Sequence, residues 1–177
     1  MEKVLIVVDM LNDFCHPNGV LAKSMVTGKV YAAPIINNVV KLVEMFRGQN
    51  LPIIWLCDAH DKDDKEFYRF PAHAVRDTWG AQIIAELGPK YVERATNELQ
   101  INKTRYSGFY GTDLEYQLSR LRWIQGDITQ PTKAEVCGVC TSICVMDTVG
   151  GLLRWGLTRG CRVLITPGSG QWGDVLR

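Results

Sequence analysis

Lys3-Val4-Leu5-Ile6-Val7-Val8-Asp9 is the stretch on which the fold turns. Its apolar residues follow one another without alternating with polar ones, the pattern of a strand buried on both faces, and the run ends on a carboxylate. Residues 51–57 repeat the pattern as Leu-Pro-Ile-Ile-Trp-Leu-Cys, with Pro52 at the beginning, where a strand tolerates a missing N–H. This second run also meets an acid, Asp58. Between the two lie the turn-rich His16-Pro17-Asn18-Gly19 and then residues 33–49, where Ile35, Ile36, Val39, Val40, Leu42, Val43 and Phe46 recur at helical spacing before Gly48.

Working outward, residues 61–80 are charged and irregular, and residues 81–87 read as a short helix. Residues 112–121 read as a helix, with Thr112 as N-cap, Glu115 as its capping-box partner, and Leu114, Leu118 and Leu121 on one face. Residues 135–139 are expected to form a strand, 142–157 a buried helix, and 161–166 a last strand announced by Arg159-Gly160. Strands alternating with helices predict an α/β fold: a three-layer α/β/α sandwich around a mainly parallel sheet. Ligands of such sheets bind beyond the carboxyl ends of the strands, the place expected for Asp9, Asp58 and the Gly138 region. With no repeats, linkers or low-complexity tracts, residues 1–177 are expected to be a single domain.

Composition narrows the function. Charged residues make up 22% of the chain and the net charge is +1, so there is no broad single-sign field to draw in nucleic acid or an anionic membrane. A small neutral ligand is the expected partner. The apolar run at the start is too short for a secretory leader, and no stretch has the roughly 18 apolar residues that crossing a bilayer requires. The protein is therefore expected to be soluble and cytoplasmic, with its six cysteines kept as thiols.

Three of those cysteines cluster in Val136-Cys137-Gly138-Val139-Cys140-Thr141-Ser142-Ile143-Cys144-Val145. Cys137 and Cys140 form a C-x2-C pair, yet no second pair at zinc-finger spacing follows, and Cys161 stands apart. All three thiols could serve as small core fillers. Alternatively, Cys144 lies in the first turn of the following helix, where free N–H groups and the helix dipole favour a thiolate nucleophile and could hold an oxyanion. No histidine is near in sequence, so Asp9 is the candidate base and Lys103 the candidate cation. A second cluster joins Asp58-Ala59-His60 to Phe70-Pro71-Ala72-His73; a carboxylate and two imidazoles suit Zn, Fe or Mn, and an ordinary polar loop is the plain alternative.

Taken together, these segments resemble the isochorismatase-like cysteine hydrolase superfamily, and most closely its nicotinamidase branch, whose topology is Rossmann-like. The resemblance runs from residue 4 to about 163. It is carried by Val7-Val8-Asp9-Met10-Leu11-Asn12-Asp13-Phe14, by the Asp58 and His73 segments, by Lys103-Thr104-Arg105-Tyr106-Ser107-Gly108-Phe109, and by Gly138-Val139-Cys140-Thr141-Ser142-Ile143-Cys144-Val145. It implies Asp9, Lys103 and Cys144 as a catalytic triad, a cis Val139–Cys140 peptide, and the amides of Cys140 and Cys144 as oxyanion hole. It implies a divalent metal, zinc first and Fe or Mn next, on Asp58, His60 and His73. Phe14, Phe70 and Tyr106 fall where family members line the substrate pocket.

The implied activity is hydrolysis of a small carboxamide, nicotinamide to nicotinate and ammonia, as in NAD salvage, in a homo-oligomer. Two departures stand out: Ser142 replaces an Asp common in the family, and residues 167–177 are a short Gly-rich end where the family continues with a further loop and helix. The competing readings are a metal-independent amidase for a ureido or carbamoyl compound, a catalytically silent binding module, and a structural zinc or redox protein built on Cys137 and Cys140.

Overall fold

The computed structural model describes residues 3–24, 33–88, 97–124, 133–159 and 162–165. The strands are β1 (Lys3–Val8), β2 (Ile53–Asp58), β3 (Glu98–Lys103), β4 (Lys133–Gly138) and β5 (Arg162–Ile165). They form one sheet in the order β3-β2-β1-β4-β5, and every pairing in it is parallel. The helices are α1 (Asn12–Cys15), α2 (Val20–Ser24), α3 (Ala33–Gly48), α4 (Leu114–Ile124) and α5 (Met146–Arg159).

Alternation along each strand divides the core into two apolar layers. Leu5 and Val7 of β1 with Ile53, Trp55 and Cys57 of β2 pack against Ile35, Val39, Val43 and Phe46, the buried stripe of α3. Val4, Ile6 and Val8 with Ile54 and Leu56 face the other way, onto Leu114 and Leu118 of α4 and Val149, Leu152 and Trp155 of α5. These two layers cover the central strands on both sides, which is why β1 and β2 are unbroken apolar runs. Among the described residues, no helix is long and apolar enough to cross a membrane.

Register then sets the site. Val8 pairs with Leu56 on one side and Gly138 on the other, and Asp58 pairs with Lys103. The carboxyl ends of the four strands β1 to β4 therefore lie side by side and present Asp9, Asp58, Lys103 and the turn after Gly138 at one edge of the sheet. Gly138 is required there. Its φ is +123°, and a Cβ on it would lie 1.9 Å from the carbonyl oxygen of Val8. Gly138→Ala is expected to destabilise the fold by at least ~2 kcal/mol in a denaturant titration, whereas Gly150→Ala, in an open position on α5, should be neutral or stabilising by about 0.5–1 kcal/mol. Equal midpoints for the two variants would show that the β1–β4 contact at Gly138 is not a constraint.

Three elements differ from the sequence expectation. Residues 81–87 form no helix: after a 3-10 turn at Trp79–Ala81, Ile83 bridges to Leu11 and the Ile84 N–H donates to the Met10 carbonyl at 3.1 Å. The apolar Ile83-Ile84 pair thus seals the loop after β1. A strand not expected from an apolar run, β3, occupies Glu98–Lys103; its Glu-Leu-Gln-Ile-Asn-Lys alternates because it pairs only with β2 among the described strands. The helix expected over 142–157 opens with a wide π-type turn, Thr141–Val145, before α5 begins. Cys161, Thr166 and residues 167–177 lie outside the described residues.

Candidate active site

Lys103 is the hub of the site. It is 1% exposed, an uncommon fate for lysine, and is tolerated because its ammonium sits between two carboxylates. Nζ donates to Asp9 Oδ2 at 2.7 Å and to Asp58 Oδ1 at 2.5 Å. The Asp58 backbone N–H donates to the remaining Asp9 oxygen, Oδ1, at 2.8 Å. Asp9 itself leaves β1 with φ +50°, which turns its side chain under the neighbouring strand ends.

Cys144 completes the group. Its Sγ and one carboxylate oxygen each of Asp9 and Asp58 lie within 4.8 Å of one another. The structure therefore brings Asp9, Lys103 and Cys144 to one point although 94 residues separate Asp9 from Lys103. Burial, with the adjacent Asp58 charge, pushes the Asp9 carboxyl up to about 7 against the pull of Lys103. Burial would lower the pKa of Lys103, but the charges of Asp9 and Asp58 outweigh it and hold the ammonium protonated.

One expectation is reversed here. A helix N-terminus was expected to depress the Cys144 pKa, yet burial and the nearby Asp9 charge push it well above the ordinary thiol value, with Lys103 opposing. The resting sulfur is thus a thiol beside a carboxylate poised near neutrality. The Val139–Cys140 peptide is cis, and the Cys140 carbonyl accepts the N–H groups of Ile143 and Val145 as the chain enters the wide turn.

Beside this group stand the three expected metal ligands. Donor atoms of Asp58, His60 and His73 lie within 4.8 Å of one another, and all three residues are buried. His73 Nδ1 lies 2.7 Å from the Pro71 carbonyl, which can only accept, so the proton is on Nδ1 and the lone pair on Nε2. Among the described residues His60 Nε2 has no hydrogen-bond partner; it is buried, 3.7 Å from Asp58 Oδ2. A buried imidazole nitrogen with no partner, converging with a carboxylate and a second imidazole, fits a divalent cation. Asp58 serves both groups, one oxygen on Lys103 and the other toward His60.

Phe14, Phe70 and Tyr106 line one cavity with Cys140 and Cys144, and Asp58 and His73 open onto it. Phe14 and Phe70 also meet the His73 ring edge-on, at centroid distances of 5.4 and 6.2 Å. The structure adds residues that the sequence reading passed over. Glu66 lines the same cavity, with Oε1 4.0 Å from His73 Nε2. Asp13, buried, accepts the Ala74 and Val20 amides at 2.8 and 3.1 Å and so ties the His73 loop to α2. Cys137 and Cys140 belong to no cluster of three metal-ligand atoms among the described residues, and both are buried free thiols.

Comparison with known proteins agrees with this architecture. PncA of Bacillus subtilis (strain 168), described as an uncharacterized isochorismatase family protein, is 33% identical over 153 residues, covering 84% of this chain and 76% of that protein. A crystal structure of nicotinamidase PncA from Bacillus subtilis superposes with a TM-score of 0.77 at 32% identity, over 96% of this chain and 86% of that one. N-carbamoylsarcosine amidase from Thermoplasma acidophilum gives 0.70 at 27% identity, over 96% and 84%. A probable inactive nicotinamidase of Arabidopsis thaliana is 28% identical over 154 residues, 82% of this chain and 69% of that protein. The Isochorismatase domain matches residues 3–159, nearly all of the described fold and every residue of the site, and the chain belongs to the isochorismatase family.

Proposed function

We propose that the protein hydrolyses a small carboxamide, nicotinamide first among candidates, to the acid and ammonia through a thioester on Cys144. The observation that carries this reading is the convergence of the Cys144 thiol, the Asp9 carboxylate and the Lys103 ammonium, with Cys144 lining an aromatic-walled cavity. Asp9 takes the thiol proton as sulfur attacks the amide carbon, and Lys103 steadies the negative charge that passes between them. The backbone amides of Cys140 and Cys144 hold the tetrahedral oxyanion. Asp9 returns the proton to the departing nitrogen, ammonia leaves, and a water deprotonated by Asp9 then releases the carboxylic acid and restores the thiol.

Asp58, His60 and His73 would hold a divalent cation of the zinc, iron or manganese type, which supplies a Lewis-acidic anchor for a donor atom of the substrate. The flat walls of Phe14, Phe70 and Tyr106 suit a planar aromatic amide. The decisive assay is ammonia release from nicotinamide and from a panel of small amides and ureido acids, with and without chelator. Nicotinamide turnover that falls at least ~10-fold after chelation and returns with Zn2+ is the expected result. Turnover of a ureido acid alone, unaffected by chelator, would move the protein to the metal-independent reading, whose carbamoyl substrate class the likeness to N-carbamoylsarcosine amidase supports. No turnover of any amide would favour a silent binding module, in line with the probable inactive nicotinamidase relative.

A further inference from the structure

His60 sits in a chain of polar contacts that the proposed chemistry does not use. Its ring is fully buried, and Nδ1 lies 3.1 Å from Asp64 Oδ2. An aspartate at neutral pH can only accept, so Nδ1 carries a proton; Nε2, without a hydrogen-bond partner among the described residues, faces Asp58 Oδ2 at 3.7 Å and is the nitrogen whose lone pair a cation would take. The opposite tautomer would set a lone pair against the Asp64 carboxylate and turn an N–H toward the metal-ligand cluster.

Asp64 is itself fixed from two sides. Its Oδ1 accepts the Glu66 N–H at 2.9 Å, capping the 3-10 helix Lys65–Tyr68, whose Phe67 ring packs edge-on against His60 at 5.4 Å. Arg105 Nη1 reaches both Asp64 oxygens, at 3.2 and 3.0 Å, and also donates to the Thr104 carbonyl. Arg105 follows Lys103 by two residues, so the end of β3 serves both clusters: Lys103 grips Asp9 and Asp58, and Arg105 grips the carboxylate behind His60. The Nδ1 of His73, by contrast, meets the uncharged Pro71 carbonyl rather than a carboxylate.

We propose that Asp64 and Arg105 are positioning residues that hold His60 in the tautomer with its lone pair on Nε2 and thereby set the affinity of the Asp58, His60 and His73 cluster for a divalent cation. A carboxylate behind a ligating imidazole raises its basicity and fixes its ring, and losing such a partner typically costs about 10–100-fold in metal affinity. The inference rests on the metal-binding reading of the cluster, though not on the identity of the amide.

The test measures Zn2+ affinity by chelator competition, without substrate, alongside the 15N shifts of His60 in the metal-free protein. Asp64→Ala should weaken Zn2+ binding about 10–100-fold and shift His60 toward the other tautomer. Asp64→Asn, which keeps an acceptor but no charge, should fall between, and Arg105→Gln should give a smaller loss in the same direction. A surface ion pair that only caps the helix would move neither readout. Native Zn2+ affinity and an unshifted His60 in Asp64→Ala overturn the proposal alone; if Asp64→Ala does not fold, the same result in both Asp64→Asn and Arg105→Gln overturns it. A native protein that binds no Zn2+ overturns it together with the metal-binding reading.

Discussion

Cys144→Ala is expected to lower amide turnover by at least ~10^4-fold, the scale on which a covalent enzyme loses rate when its nucleophile is removed. Cys144 is 5% exposed and lines the cavity, so the loss of its sulfur deletes a reacting atom while changing little of the packing around β4 and α5. The resting thiol is held well above its ordinary pKa by burial and by Asp9, so reactivity depends on Asp9 withdrawing the proton during attack. Cys144→Ser therefore makes a sharper companion: a hydroxyl is a far weaker acid than a thiol, and a carboxyl poised near 7 is a poor base for it. Both variants should keep native melting and native Zn2+ uptake, because the metal ligands Asp58, His60 and His73 remain. Ammonia release from Cys144→Ala at the wild-type rate would remove the thioester and leave the pocket to some other chemistry.

The strands that deliver Asp9 and Asp58 are legible because central strands of a parallel sheet are buried on both sides, and a short unbroken apolar run ending on a polar residue is the mark that such burial leaves in a sequence. Lys103 is less legible. It ends a half-polar strand, and only the register Asp58↔Lys103 shows that this lysine is internal and faces two carboxylates. Asp64, Glu66 and Arg105 look like ordinary surface charges in sequence, because their roles arise when a loop folds back over the end of β3 and brings Asp64 to Arg105, 41 residues away in the chain. The mistaken expectation for the Cys144 pKa has a similar root: a helix terminus can be read from a pattern, whereas burial beside the Asp9 carboxylate belongs to the tertiary structure. The same holds for residues 81–87, where an apolar pair that suits a helix is used instead to close the loop behind Met10 and Leu11.

Lys103→Met should affect stability and turnover together, which separates it from Cys144→Ala. Methionine matches the lysine stem in length, so the apolar packing survives and the change isolates the charge. What remains is two buried carboxylates that had shared one ammonium at 2.7 and 2.5 Å, and breaking a buried ion pair by deleting one partner costs roughly 3–5 kcal/mol. For a chain of this length that corresponds to a fall of about 6–20 °C in Tm. Relief is available only by protonation: without Lys103 to lower its pKa, Asp9 retains its proton through neutrality, and Asp58 becomes a neutral, weaker metal ligand if it does the same. Turnover should therefore vanish with the base even in molecules that stay folded, and Zn2+ uptake should weaken as well. Lys103→Arg keeps the charge but offers a planar fork in place of a compact ammonium, so it should recover part of the lost stability and little of the activity. If Lys103→Met melted with the native protein, the two aspartates could not both be ionised beside each other in the folded state, and the proton transfer assigned to Asp9 would have no base.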